Sequence, residues 1–297
     1  SKFGGVVPEI ASRKHLEFIN PVIEEALQEA GVKQSELDAI AVTYGPGLVG
    51  ALLVGLSAAK SLSYVLDKPL IGVNHIAGHI YANFISRPNL EPPVICLTVS
   101  GGHTDLLYFE DLKGYKILGR TRDDAAGEAF DKIARFLKLG YPGGPLIEQK
   151  AEEGDPEAID FPRSDFKEDT FDFSFSGLKT AVINYVHNQK QRGKEINISD
   201  IAASFQQAVI DMLVKNVLKA VLDYDVNSVI LSGGVAANKT FKKQLETKLK
   251  QYDLSLYYPE LKLCTDNAAM IGAVGYYQYL NEDFAPMDLN PEPKLSL

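Results

Sequence analysis

Short apolar runs alternate with helical patterns along the chain. The runs at residues 39–43, 70–73, 94–99 and 229–231 are rich in Val, Ile and Leu, which is typical of buried strands. Helices are predicted from Asn20-Pro21 to Gly31, after caps at Asn74 and Ser199, and over residues 238–250 and 268–277. Strands that alternate with helices predict an α/β protein with a largely parallel sheet.

A repeated turn adds a second regularity. The run at 94–99 leads into Ser100-Gly101-Gly102, and the run at 229–231 leads into Ser232-Gly233-Gly234, 132 residues later. Because glycine has no side chain, a ligand can approach the backbone at such a strand end. The repeat predicts two duplicated halves with a nucleotide cleft between them, although Ser-Gly-Gly is also a common turn.

We place the boundary between these halves at the polar turn around Glu110. The expected domains are therefore residues 1–110 and 111–297, and the second contains a long loop near residues 152–170. Loops of this length inside compact domains are usually functional or mobile.

Composition narrows the class of protein. The chain has 297 residues, of which 45% are hydrophobic and 23% charged, as in ordinary globular proteins. Its net charge of −9 excludes nucleic-acid binding by overall charge, so such a partner requires a local basic patch or a helper subunit. Two cysteines fit a reducing compartment. The longest apolar stretch, residues 48–66, contains Gly, Ser and Lys. We expect it to be too polar to span a bilayer and the chain to be soluble.

Two histidines have the spacing of metal ligands. His75 and His79 are four residues apart, so on a helix they share one face and can bind one ion. Ile76 stands where metalloproteases carry their glutamate base. Asp266 is the best candidate for a third ligand, although an Asp before a helix is more often an N-cap. Cys264 is a weaker candidate, since a small thiol at a strand end is usually core. A chance histidine pair remains the alternative.

Other turns and carboxylates suit a nucleotide. Glycines are dense in residues 45–47 and 141–145, and such loops before helices bind phosphate or ribose. The sequence has neither the Walker A pattern nor the Rossmann glycine pattern. Glu128 and Asp131 lie off the apolar stripe of a predicted helix. These carboxylates accept hydrogen bonds from a ribose or from Mg²⁺-bound water, or they face solvent, and both alternatives stay open.

Taken together and in chain order, these segments resemble one family. The colinear motifs are GGVVPEIASRKHLEFINPVIEEAL, TYGPGLVGALLVG, NHIAGHIYA, VSGGHTDLL, DDAAGEAFDKIARFL, YPGGP, DFSFSGLKTAV, LSGGVAAN and CTDNAAMIG. They are similar to motifs of the bacterial tRNA N6-adenosine threonylcarbamoyltransferases, the TsaD family. The resemblance implies an actin-like/sugar-kinase/Hsp70-type ATPase fold of two α/β halves. It also implies that the family's first N-terminal strands, which carry an E-T-S-C-D type motif, are missing from this sequence.

The resemblance implies a reaction and a site. Threonylcarbamoyl-AMP would donate its threonylcarbamoyl group to N6 of the adenosine 3′ of the anticodon, in tRNAs that read ANN codons. By motif position, His75, His79 and Asp266 would bind one divalent metal ion, iron or alternatively zinc, with Mg²⁺ as a further cation. The adenylate would be bound by Thr98, Val99, Ser100, Gly101, Gly102, Asp131, Gly144, Glu148 and Asn238. Asp131 and Glu148 fall where ribose contacts are expected, and no general base is identified.

The implied partners are tRNA, a paralogous actin-like subunit (TsaB type) and a small P-loop ATPase (TsaE type), in the cytoplasm. Residues 48–59 are a candidate interface with the paralogue, although core packing explains their small apolar side chains equally well. The candidate basic patches are Lys113, Lys116, Arg120 and Arg122, and Lys239, Lys242, Lys243, Lys248 and Lys250. We expect weak tRNA binding by the isolated chain.

Two other functions compete with this hypothesis. A phosphotransferase or ATPase of the same fold would need only Mg²⁺ and would give the histidine pair no role. A non-catalytic scaffold subunit would be expected to lack His75, His79 and Asp266, which are present.

Overall fold

The computed structural model describes residues 8–87, 89–164, 166, 168–260, 263 and 266–297. The helices are α1 (Pro8–Ala30), α2 (Val49–Leu66), α3 (His75–Ser86), α4 (Ala126–Phe136), α5 (Gly143–Ala151), α6 (Ser176–Gln191), α7 (Ile198–Asp223), α8 (Lys239–Leu249) and α9 (Ala268–Leu280). The strands are β1 (Ile40–Gly45), β2 (Leu70–Asn74), β3 (Val94–Val99), β4 (Thr104–Phe109), β5 (Lys116–Arg120), β6 (Ser228–Ser232) and β7 (Ser255–Tyr257).

The chain divides into two compact units. Unit 1 comprises Ser1–Ser86 and Leu261–Leu297, and unit 2 comprises Arg87–Glu260. This division differs from the expected halves of residues 1–110 and 111–297. Glu110 follows β4 in the turn that leads to β5, and these two strands pair in one antiparallel ladder. A polar hairpin turn therefore stands where we expected a domain boundary.

Unit 1 is built around the parallel pair β1 and β2, in which Ile40 lies opposite Leu70. The sequence predicts both strands and the following helices within a residue or two. The start of α1 was predicted wrongly, because the helix begins at Pro8 and contains Pro21 in its interior. A proline is favourable at a helix start, but the pattern Asn-Pro does not require one there. The expected end at Gly31 is confirmed, with Gly31 at φ +66°.

The expectation that residues 48–66 are too polar to span a bilayer does not hold for α2. By length and composition it is apolar enough to cross a membrane, and 22% of its residues are buried. Inside unit 1 it packs beside α1 and β1, because a Cβ on Gly50 would lie 3.1 Å from Ser12 Cβ and one on Gly55 would lie 3.7 Å from Val42. These are the contacts of a helix in a folded domain, and one such helix is weak evidence for a membrane protein.

Unit 2 contains a five-stranded mixed sheet in the order β5-β4-β3-β6-β7. Strands β3 and β6 are parallel neighbours, with Thr98 opposite Ser232. The two Ser-Gly-Gly turns therefore lie side by side at the carboxyl ends of these two neighbouring strands, within a single unit. The expectation that each turn marks its own half was wrong, because sequence repetition does not reveal which strands pair.

The core of unit 2 lies on one face of this sheet. Ile95, Leu97 and Val99 pack there with α4, α5, α6 and α7, of which α7 is buried along most of its length. The N-cap of α7 is Asn197, whose side chain accepts hydrogen bonds from Ser199 N and Asp200 N, so the cap predicted at Ser199 lies two residues too late. Residues 152–175 between α5 and α6 contain neither helix nor extended strand among the described positions, as predicted for the long loop.

Candidate functional site

The histidine pair lies at the start of α3. Asn74 ends β2, and its side-chain oxygen accepts hydrogen bonds from Ile76 N at 2.8 Å and Ala77 N at 3.4 Å. This capping starts the helix directly at His75, as the sequence predicts. One helical turn separates His75 from His79, so the two imidazole rings project from the same face with their centroids 4.8 Å apart.

Asp266 reaches the same point from the residues that precede α9. Its Oδ1 lies 3.2 Å from His75 Nε2 and 3.1 Å from His79 Nε2. The helix cap that we considered for Asp266 belongs to its neighbour Asn267, whose side chain accepts a hydrogen bond from Met270 N. The Asp266 carboxylate is therefore not used by the helix and faces the two histidines.

These three side chains fit one metal ion. Their ligand atoms all lie within 4.8 Å of one another. Two donor atoms bound at about 2.1 Å to one ion stand roughly 3.0 to 3.4 Å apart for angles between 90° and tetrahedral, which matches the spacing of Asp266 from each histidine. Burial, together with the neighbouring His75, lowers the pKa of His79 despite the opposing attraction of Asp266. A lowered pKa favours the neutral imidazole that metals require. Cys264 lies outside the described residues.

A pocket of about 320 Å³ lies in unit 2. Its lining comes from the first Ser-Gly-Gly turn, from α4, from the start of α5 and from the segment between β6 and α8. The lining residues are Gly101, Gly127, Phe130, Asp131, Tyr141, Pro142, Gly144, Pro145, Glu148, Gly234, Val235, Ala237 and Asn238. Five residues predicted to bind the adenylate are thus brought together: Gly101, Asp131, Gly144, Glu148 and Asn238.

The polar side chains of this pocket are held by hydrogen bonds to neighbouring elements. Asp131 Oδ1 accepts from Gly143 N at 2.7 Å, and Glu148 Oε1 accepts from Lys239 N at 2.6 Å. Asn238 Oδ1 caps α8, and its Nδ2 donates to a glutamine of α7 at 2.8 Å. Each carboxylate uses one oxygen in this way, and both residues line the pocket. Such oxygens accept hydrogen bonds from hydroxyl groups.

The remaining predicted adenylate residues have structural roles as well. Thr98 and Val99 are buried in β3, at 2% and 0% exposure. The Ser100 hydroxyl accepts hydrogen bonds from Gly102 N and His103 N, which closes the turn. Side chains of Thr98 and Val99 are therefore part of the protein interior, and the turn that follows them is the part that reaches the pocket.

The apolar lining of the pocket was not predicted from the sequence. Phe130 is buried in α4, and Val235 and Ala237 follow the second Ser-Gly-Gly turn. Tyr141 also lines the pocket, where it is 75% exposed, and in the sequence it directly precedes a glycine-rich turn. In the sequence, the signal that points to Tyr141 is an aromatic residue directly before a glycine-rich turn, and the structure shows this residue to be exposed.

Comparison with known proteins identifies the family. The profile of the TsaD family, tRNA N6-adenosine threonylcarbamoyltransferase, matches residues 1–273. A curated relative from Moorella thermoacetica with that name is 59% identical over 296 residues, covering 100% of this chain and 86% of the relative. The chain belongs to this family. A second threonylcarbamoyltransferase, from Clostridium botulinum, is 54% identical over 100% of this chain and 87% of its own length.

Solved structures support the fold expected of the threonylcarbamoyltransferase family. Full-length HypF, crystallised in a phosphate- and nucleotide-bound form, superposes with a TM-score of 0.65 at 18% identity, over 89% of this chain and 50% of HypF. HypF from T. kodakarensis gives the same TM-score at 16% identity, over 90% of this chain and 43% of that protein. The fold is the two-part, actin-like α/β class that the motifs imply.

Proposed function

We propose that this chain transfers a threonylcarbamoyl group from threonylcarbamoyl-AMP to N6 of the adenosine 3′ of the anticodon, in tRNAs that read ANN codons. The general activity, threonylcarbamoyl transfer to tRNA adenosine, follows from membership of the family. The observation that carries the specific proposal is the convergence of His75, His79 and Asp266 within 4.8 Å. A phosphotransferase of this fold has no use for that group.

The metal group suits an acyl transfer without a covalent enzyme intermediate. A divalent ion at this site, iron or zinc, would supply a positive charge that polarises the carbamoyl carbonyl. Asp266 contributes an anionic ligand. Burial and the neighbouring His75 lower the pKa of His79, which favours the neutral imidazole that binds a cation. The side chain of Asp266 is 78% exposed, so this ligand is accessible from solvent.

The pocket of unit 2 suits the adenosine part of the donor. Asp131 and Glu148 offer carboxylate oxygens that fit ribose hydroxyls but repel a phosphate. Backbone N–H groups of the glycine turns at Gly101 and Gly234 suit the phosphate. The apolar side chains of Phe130 and Val235 suit the adenine ring. We therefore propose that this pocket binds the adenylate, with Mg²⁺ as a further cation near the phosphate.

The net charge of −9 makes the position of the basic residues decisive for tRNA binding. The patch around residues 113–122 is partly neutralised, because Arg122 pairs with Asp172 at 2.7 Å and with Glu168 at 3.1 Å. On α8, Lys239, Lys243 and Lys248 are exposed. We propose α8 as the tRNA-facing element and expect binding that weakens steeply with salt.

The acidic net charge is also the reason to propose protein partners. A chain of net charge −9 whose proposed tRNA-facing element is a single helix requires help to hold tRNA. A paralogous actin-like subunit (TsaB type) and a small P-loop ATPase (TsaE type) would supply it. Val49 and Leu53 of α2 are 53% and 49% exposed, which supports this helix as the interface with the paralogue. The cytoplasm is the proposed location, since a tRNA substrate and an unpaired buried thiol at Cys96 suit a reducing compartment.

The experiment supplies threonylcarbamoyl-AMP and an ANN-reading tRNA to the chain with its two companion proteins, and measures the modified nucleoside by mass spectrometry. Asp266→Ala and His79→Ala are expected to lower the rate at least about a hundredfold, since metal polarisation contributes several kcal/mol. His187→Ala is the matched control, because His187 lies on α6 and packs on Phe136. Undiminished modification by the first two variants contradicts the proposal. ATP hydrolysis by the isolated chain that His75→Ala does not affect would favour the phosphotransferase.

A further inference from the structure

The chain beyond α9 lies across the small sheet of unit 1. We call residues 285–296 the strap. Ala285 N donates to Leu70 O at 2.8 Å at one end, and Glu292 N donates to Tyr44 O at 2.7 Å further along. Pro293 O then accepts a hydrogen bond from Gly47 N at 3.2 Å. The strap therefore uses backbone hydrogen bonds to follow β2 and the end of β1.

The fit between strap and sheet leaves no room for a side chain at Gly45. A Cβ at that position would lie 2.2 Å from Glu292 O and 2.7 Å from Leu295 Cβ. A Cβ atom does not approach a non-bonded heavy atom this closely, so the close approach of the strap depends on the glycine. The strap is thus seated in a defined place and continues from there toward the start of α3.

The strap ends its course on the residue that caps the histidine helix. Asn74 Nδ2 donates to Ser296 O at 3.0 Å, while Asn74 Oδ1 accepts from Ile76 N and Ala77 N. The oxygen and the nitrogen of one side-chain amide are therefore used together. The oxygen caps the start of α3, and the nitrogen donates a hydrogen bond to the strap.

We propose that Asn74, held in its rotamer by the carbonyl of Ser296, is a positioning residue for the metal-ligating pair His75 and His79. This inference rests on the metal site proposed above. An N-cap without a second contact must give up side-chain rotamer freedom each time it caps, and the first turn of a helix frays most readily. His75 is the first residue of α3, so fraying of that turn moves His75 relative to Asp266. The strap suppresses this motion.

Two variants separate the contact from the cap. Asn74→Ser keeps a side-chain oxygen that caps a helix but is too short to reach Ser296. A chain that ends after Pro293 loses the Ser296 carbonyl but keeps the hydrogen bonds of Glu292 and Pro293. Lys294→Ala is the control, because it keeps the strap backbone. The probe is Co²⁺, titrated into each purified variant and into the unaltered chain, and followed by its visible absorption, with circular dichroism as the check of folding.

Each of the first two variants is expected to weaken Co²⁺ binding about three- to tenfold, the effect of one hydrogen bond. The combined variant is expected to be no weaker than either one alone, since both remove the same contact. Lys294→Ala is expected to bind as the wild type does. Unchanged affinity in both single variants overturns the inference, even if their thermal stability falls. Additive losses overturn it as well. A wild-type chain that binds no Co²⁺ overturns the metal site itself, and the inference with it.

Discussion

Gly143 and Gly144 are adjacent in the sequence but lie in opposite environments, which gives a matched pair of substitutions. A Cβ on Gly143 would lie 2.5 Å from Asp131 Cα and 2.5 Å from Phe130 O, both backbone atoms of α4. A Cβ on Gly144 would have no atom within 4 Å. The first alanine must push α5 away from α4, whereas the second points into open space at the pocket.

The magnitudes follow from these contacts. Gly143→Ala overpacks the junction, which costs about 1 to 3 kcal/mol, and it strains the hydrogen bond from Gly143 N to the Asp131 carboxylate, for about 1.5 to 3 kcal/mol more. The sum of about 2.5 to 6 kcal/mol corresponds to a fall in Tm of roughly 5 to 24 °C for a unit of this size. Gly144→Ala is expected to stabilise by about 0.4 to 1 kcal/mol, because alanine restricts the unfolded chain.

Scanning calorimetry of the two variants measures the stabilities, and AMP titration calorimetry measures the pocket. Gly144→Ala is expected to fold normally but to bind AMP more weakly, since its methyl group occupies pocket space. Equal unfolding temperatures for both variants would refute the packing argument. Unchanged AMP affinity in Gly144→Ala would refute the placement of the nucleotide.

Three further predictions concern single side chains. Burial raises the pKa of Asp105, so its ionised form destabilises the fold at neutral pH and that cost disappears as pH falls through the raised pKa. Asp105→Asn is therefore expected to raise the free energy of unfolding in urea more at pH 7 than at pH 4, and a loss at pH 7 would contradict this. The chain contains no Trp, so the fluorescence of Tyr141→Trp reports that position alone, and we expect AMP to quench it. Asn197→Ala is expected to cost about 1 kcal/mol in urea denaturation. Ser199→Ala should cost less if Asn197 is the cap.

Local features of the fold were predictable from the sequence. The strand at residues 70–73 and the cap at Asn74 follow from a short apolar run and an Asn before a helix, and both are confirmed. The helix predicted over residues 238–250 is confirmed as α8, with Asn238 as its N-cap. Asp266 was a candidate third ligand from the sequence alone, but a helix cap was the more common role for it there, and the family resemblance decided between the two. The spacing of the histidines gives no information about a residue almost 190 positions away.

Features that depend on strand order were not predictable. The hairpin β4–β5 and a domain boundary both begin with a polar turn, so the pattern around Glu110 does not separate them. The repeated Ser-Gly-Gly turns share one unit because β3 and β6 are neighbours, and this pairing joins residues that are far apart in the chain. Tyr141 escaped notice for a related reason, since its place at a pocket depends on how α5 packs on α4.

The histidine pair and Asp266 all belong to unit 1, whereas every residue that lines the pocket of Phe130 and Glu148 belongs to unit 2. A ligand that binds only a folded unit adds its binding free energy to that unit alone. Cation and nucleotide would then protect separate parts of the chain from proteolysis and hydrogen exchange. Each ligand would thereby report the stability of the unit that binds it.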